Sequence, residues 1–176
     1  MRFKHANDQD TAALAADELF YEQGICTVGV DLILKHADVA RASLYTTYGS
    51  KEELVRAYLQ RRSDNWQALV GEVLPSRWDN PCDRILGIFE LLTEWFAARG
   101  YRGCPFINAS AEAGSEAAVV QVREAHRAWV RDLFAGLGRD AGAQDPDALS
   151  AQLVLLYDGA MIGAQLDHTS AAGKAA

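Results

Sequence analysis

The chain has no run of 18 consecutive apolar residues, so no membrane-spanning helix is expected. Cysteine is scarce: Cys26, Cys82 and Cys104 form an odd, widely spaced set with no CxxC pair. That excludes a disulfide framework, and reduced thiols fit a cytoplasmic protein. The first ten residues, MRFKHANDQD, carry basic side chains with no apolar stretch behind them, which is not the pattern of a secretory signal. Strand-like alternation and internal repeats are both missing. His, Asp and Glu are too scattered for a metal-ligand set, and no nucleophile–base spacing stands out, so neither a cofactor nor a catalytic centre is expected. Positive charge is also in short supply, with 17 Lys and Arg against 24 Asp and Glu, a net charge of −7. Affinity for random DNA scales with the phosphates neutralised, so such a chain should hold random DNA weakly.

What is present is helix. At 176 residues the chain can bury one sizeable core, or a core with a small appended lobe. Ala12, Ala15, Ala16, Leu19 and Phe20 make the stripe of a first helix ended by Gly24. A second helix is expected over 29–37, a turn at Asp38 and Val39, and a third helix from Ala40 to about Thr47. Ser50 and Glu53 form a capping box that starts a fourth helix. Pro75 should end that helix at Leu74. Its later half would turn Trp66, Leu69, Val70, Val73 and Leu74 to one face. Asn80 and Pro81 open a fifth, very apolar helix, and Gly100 and Gly103 follow it. A short helix is expected over 104–113 and a long one over 115–137, ended by Gly136, Gly138 and Gly142. Asp145 and Pro146 start a last helix to about Asp167, with Leu149, Leu153, Leu156, Tyr157 and Ala160 inward. The tail HTSAAGKAA is weakly patterned.

The run from Val30 to Leu59 has the layout of a helix-turn-helix DNA reader. The acid lies mostly elsewhere: residues 1–62 hold 8 Lys and Arg against 9 Asp and Glu, and the remainder 9 against 15. From Val39 to Lys51 there are two cations, Arg41 and Lys51, and no carboxylate. Leu44 and Tyr48, four apart, should lock the third helix onto its neighbours, leaving Arg41, Ser43, Tyr45, Thr46 and Thr47 outward. A helix fits the major groove, where Arg takes guanine bidentately and Thr methyls touch thymine. Lys51 opens the fourth helix, whose unpaired N–H groups favour a phosphate.

On these residues the chain resembles the TetR family of one-component transcriptional regulators. The carrying motifs are Leu19-Phe20-Tyr21-Glu22-Gln23-Gly24 and Leu44-Tyr45-Thr46-Thr47-Tyr48-Gly49-Ser50-Lys51-Glu52-Glu53-Leu54, which match the family spacing without gaps. The segments 102–109 and 157–160 resemble ligand-domain motifs of a common subgroup. Three positions depart from the pattern. Asp38 stands for the usual turn Gly, a residue that tolerates the left-handed region better than most. Ala40 stands for the usual capping Ser, at a cost of about 1 kcal/mol. Thr46 and Thr47 stand where aromatic or His residues are frequent.

The resemblance implies an all-α fold: a helix-turn-helix DNA-binding domain over 1–50, and a ligand-binding and dimerisation domain over 51–176. It implies a homodimeric repressor on palindromic operator DNA, released by a small-molecule effector, and not an enzyme. Gly29, Ala40, Arg41, Ser43, Tyr45, Thr46, Thr47 and Lys51 are the expected DNA contacts. Phe89, Phe96, Phe106, Asn108, Glu112, His126, Trp129 and Tyr157 are the expected effector contacts, the aromatics from their inward stripes and the polar residues from their places on those faces. Cys104, beside Arg102 and near a helix N-terminus, is a candidate redox or electrophile sensor. A constitutive DNA binder without effector is the other alternative. The helices over 115–137 and 145–167 are candidates for the dimer interface, the latter with a small-residue face at Gly159, Ala160, Gly163 and Ala164.

Overall fold

A computed structural model describes residues 8–176, with side chains from Thr11 onward. The reading of the first seven residues therefore lies outside the described residues. The described chain consists of nine α-helices and no strand. They are α1 Asp8–Gln23, α2 Val30–Ala37, α3 Arg41–Tyr48, α4 Lys51–Arg77, α5 Pro81–Ala97, α6 Pro105–Ala113, α7 Ala117–Asp140, α8 Pro146–Asp167 and α9 Ala172–Ala175.

Several of the boundaries follow from capping. Asn80 accepts the N–H of Asp83 ahead of α5, and Asp145 accepts the N–H of Ala148 ahead of α8, each with proline in the first turn. Ser50 Oγ accepts the Glu53 N–H at 3.2 Å, while the Glu53 carboxylate turns to Arg56. α2 ends at Asp38 in the left-handed region (φ 53°), where the N–H groups of Asp38 and Val39 both reach the Leu34 carbonyl.

Two expected stops are absent. Pro75 lies inside α4, which continues to Arg77. A proline this close to the end sacrifices a single helical bond, and the carbonyl it crowds belongs to Gly71, exposed and without a Cβ to resist tilting. Gly136 and Gly138 lie inside α7. Gly138 is buried, and a Cβ there would meet Leu149 Cδ2 at 3.3 Å, so its smallness serves close packing on the start of α8. α7 stops at Gly142 (φ 78°), where the Ala143 N–H reaches the Gly138 carbonyl and the Gly142 N–H that of Arg139, a Schellman arrangement.

The chain divides into two compact units. The first comprises the described part of Met1–Arg62 together with Pro105–Arg123; the second comprises Ser63–Cys104 and Glu124–Ala176. In the first, α1, α2 and α3 pack on one another around Ala12, Ala16, Leu19, Phe20, Val28, Ile33 and Leu44, all buried. Phe20 meets Tyr58 of α4 at 5.6 Å between ring centroids. Arg62 pairs with Asp17 at 2.7 Å and lies over the Tyr21 ring. Burial lifts the Asp17 carboxyl above its usual range, against the pull of Arg62. In the second unit α5 is central: Ile88, Phe89, Leu91, Leu92 and Phe96 are buried, and α8 and α9 pack on it. The weakly patterned tail yields α9, whose Gly173 lies so close to Thr93 and the Phe89 carbonyl that no side chain would fit.

Two apolar residues expected inward are outward: Leu69 on α4 and Leu156 on α8, each 43% exposed. α8 is also long and apolar enough, by length and composition alone, to cross a bilayer. Its inner stripe of Leu153, Val154, Tyr157, Ala160, Met161 and Ala164 is buried within the unit, so its apolarity comes from two faces rather than one.

Candidate DNA-reading face and sensing core

α3 is a helix of eight residues fixed by one buried side chain, Leu44 at 1% exposure, with Tyr48 half-buried a turn later. Opposite them Arg41, Tyr45 and Thr46 are exposed. Ala40 is exposed at the N-cap and offers no side-chain cap, so the expected deficit is present. Gly29 caps α2, exposed, with open space where a Cβ would be. Lys51 is the first residue of α4.

Arg41 and Thr47 have intramolecular partners that sequence reading missed. The Arg41 guanidinium donates to the carboxylate of Asp31, in the first turn of α2. The Thr47 hydroxyl donates to the Ser43 carbonyl at 2.9 Å, so it must turn away from its own helix before it can donate to a phosphate. A ten-residue separation across a turn leaves no periodic signal for the first. The second is a local competition open to any helical threonine.

The expected effector contacts separate. Phe106, Asn108 and Glu112 belong to the first unit, and Phe89, Phe96, His126, Trp129 and Tyr157 to the second. Glu112 is exposed, and its carboxylate accepts the Cys26 N–H at 2.8 Å, closing over Gly24 (φ 92°) in the turn between α1 and α2. A peptide N–H left over by a left-handed turn is a strong partner for a carboxylate, which explains the assignment. Phe89 stacks on Phe134 at 6.0 Å, and Phe134 meets Tyr157 edge-on at 6.1 Å, with Phe134 fully buried; these rings form ordinary core contacts.

Around His126 the core is polar. Ser63 Oγ lies 2.9 Å from His126 Nδ1 and accepts the Gln67 side-chain N–H at 2.9 Å. With two lone pairs and one proton, the Ser63 hydroxyl can accept from Gln67 and pair with Nδ1 in either neutral tautomer of the ring. Ser63 and His126 are both buried, and the Trp129 ring lies 5.9 Å from the imidazole. Desolvation, helped by the neighbouring Arg127 charge, pulls the His126 pKa down from 6.5 to about 4. A group depressed on folding stabilises the fold fully above its unfolded pKa and loses that contribution as pH falls through the folded value. Stability should thus drop by roughly 3 kcal/mol between about pH 6.5 and below pH 4 on account of this residue. Thermal melts across that range should show His126→Asn with a flatter profile than the parent; parallel profiles would assign the loss to other groups.

Burial pushes the Tyr157 phenol well above its usual range, with Cys104 and Asp158 adding to the rise. Cys104 itself is buried, one residue ahead of α6. A cavity of about 410 Å³ in the second unit is lined by Phe96, Tyr101, Arg102, Ala164, Gln165 and His168 among others. Phe96 is the single expected effector contact among its walls. Among the described residues no cluster of His, Cys, Asp or Glu could hold a metal ion.

Residues 14–58 match the model of the bacterial regulatory proteins of the tetR family. The transcriptional regulator AcuR of Cereibacter sphaeroides is 28% identical over 155 residues, 83% of this chain and 71% of its own length. SCO4454, a TetR-family transcriptional regulator of Streptomyces coelicolor, superposes with a TM-score of 0.89 at 30% identity, over 96% of this chain and 89% of its own. The fold also matches that of the TetR-family regulator CifR, a cysteine mutant complexed with 26-base-pair operator DNA (TM-score 0.82, 20% identity, 99% and 95% coverage). With its helix-turn-helix, its all-helical architecture and full-length likeness to these regulators, the chain belongs to the TetR family of transcriptional regulators and is not an enzyme.

Proposed function

We propose that this regulator is a cytoplasmic, homodimeric repressor that holds a palindromic operator and releases it when a small molecule binds. The observation that carries the reading is the exposed row Arg41, Tyr45 and Thr46, held up by buried Leu44 and flanked by Lys51. Ala40, Ser43 and Thr47 lie on the same stretch and Gly29 caps the helix before it, and these four share the DNA contact. Arg41 reads a base, while Tyr45, Thr47 and Lys51 hold phosphates and sugar.

α8 supplies the dimer. Leu155, Ile162 and Leu166, with Leu156 beside them, are 72%, 43%, 73% and 43% exposed, and Gly159 leaves open space between them. An apolar stripe of this kind on a soluble helix calls for a partner, and a second copy places two readers on successive major grooves. The outward residues of α7 are mostly polar or charged, including Glu124, Arg131, Asp132 and Arg139, so α8 is the better interface of the two helices considered.

The effector is held in the second unit, with Phe96, a wall of the cavity of about 410 Å³, as its first contact and His126 and Trp129 as further ones. α4 runs through both units, from Lys51 to Arg62 in the first and from Ser63 to Arg77 in the second. An effector with higher affinity for one state of the second unit shifts the α4 equilibrium and so the spacing of the readers; equal affinity for both would shift nothing.

Lys51→Ala tests the phosphate assignment. It should weaken binding to operator and random duplex alike and lower the slope of log affinity against log salt by about one. An unchanged slope would remove Lys51 from the interface.

A further inference from the structure

Asp31 pairs with the first residue of the reading helix. It lies in the first turn of α2, and the left-handed turn at Asp38 brings it against Arg41, the first residue of α3. Both side chains are open to water, 80% exposed for Asp31 and 58% for Arg41. A pair this exposed contributes little to the fold. Its consequences are therefore for whatever approaches that surface.

Two consequences follow from charge and geometry. One N–H of the guanidinium is taken by Asp31, which fixes the planar fork and still leaves donors for guanine O6 and N7. At the same time the carboxylate places a negative charge on a face meant for phosphates, where the whole stretch from Val39 to Lys51 supplies two cations. That repulsion weakens binding to every sequence and fades with salt. The loss is made good only where a base pair accepts the fixed fork, so the right site loses less than the wrong ones.

We propose that Asp31 is a specificity-determining residue of this regulator: it positions Arg41 for its base and penalises DNA that lacks that base pair. The proposal rests on the reading of Arg41 as a base contact, and the experiment separates the two. With full-length protein, dissociation constants are measured for the selected operator and for a scrambled duplex of equal length, at low and moderate salt. Asp31→Asn should tighten scrambled DNA by about three- to tenfold at low salt and operator by less, so that discrimination falls. In an Arg41→Ala background the same substitution should leave the ratio unchanged. Discrimination undiminished in Asp31→Asn overturns the proposal, as does an equal fall without Arg41. Wild-type operator binding by Arg41→Ala alone overturns instead the reading of Arg41.

Discussion

Leu155→Asp should give a folded monomer whose operator affinity is lower by roughly 10²–10⁴-fold, the factor lost when two linked binding events become independent. Leu155 is 72% exposed on α8 and makes no part of the buried stripe that seats the helix, so a charge there leaves the second unit intact. Across a two-fold axis the same charge meets its own copy in an apolar contact, where desolvation and like-charge repulsion add. Sedimentation and gel-shift titration on one preparation read both effects. A dimer that persists with Leu155→Asp places the interface elsewhere.

Arg41→Ala should reduce operator affinity by about ten- to a hundredfold, with relaxed preference at one base pair per half-site. Arg41 is one of only two cations between Val39 and Lys51, so few other contacts can compensate. Removing it also frees Asp31 to face the DNA alone, which adds to the loss. The fold should be unaffected, because the side chain is exposed and α3 is anchored by Leu44. Competition against operators substituted one base pair at a time would locate the position. A uniform loss at all positions would make Arg41 a phosphate contact.

The fold was legible wherever a local rule decides it. Asn80, Asp145 and Ser50 start helices because their side chains accept orphan N–H groups, and each is where the sequence places it. Pro75, Gly136 and Gly138 misled because local breakers were read without their neighbours: Gly71 four residues before Pro75, and α8 against Gly138. The exposed face of α3 was legible because one buried leucine sets its phase. The interior of the second unit was legible only in part. Periodicity finds the inward side chains, as with His126 and Phe96, but does not tell a pocket wall from a ring stack such as Phe89 on Phe134. Nor does it reveal contacts between distant segments. Glu112 on Cys26, Ser63 on His126 and Asp31 on Arg41 each join residues that no sequence period links.

The central claim is that two copies of this chain read one palindromic site. Selection of bound duplexes from a random pool, repeated at two salt concentrations, tests it most directly. The expected result is a two-fold symmetric consensus with half-sites about 34 Å apart, retained at the higher salt while non-specific binding disappears. An asymmetric single site, or no enriched sequence at either salt, would contradict it.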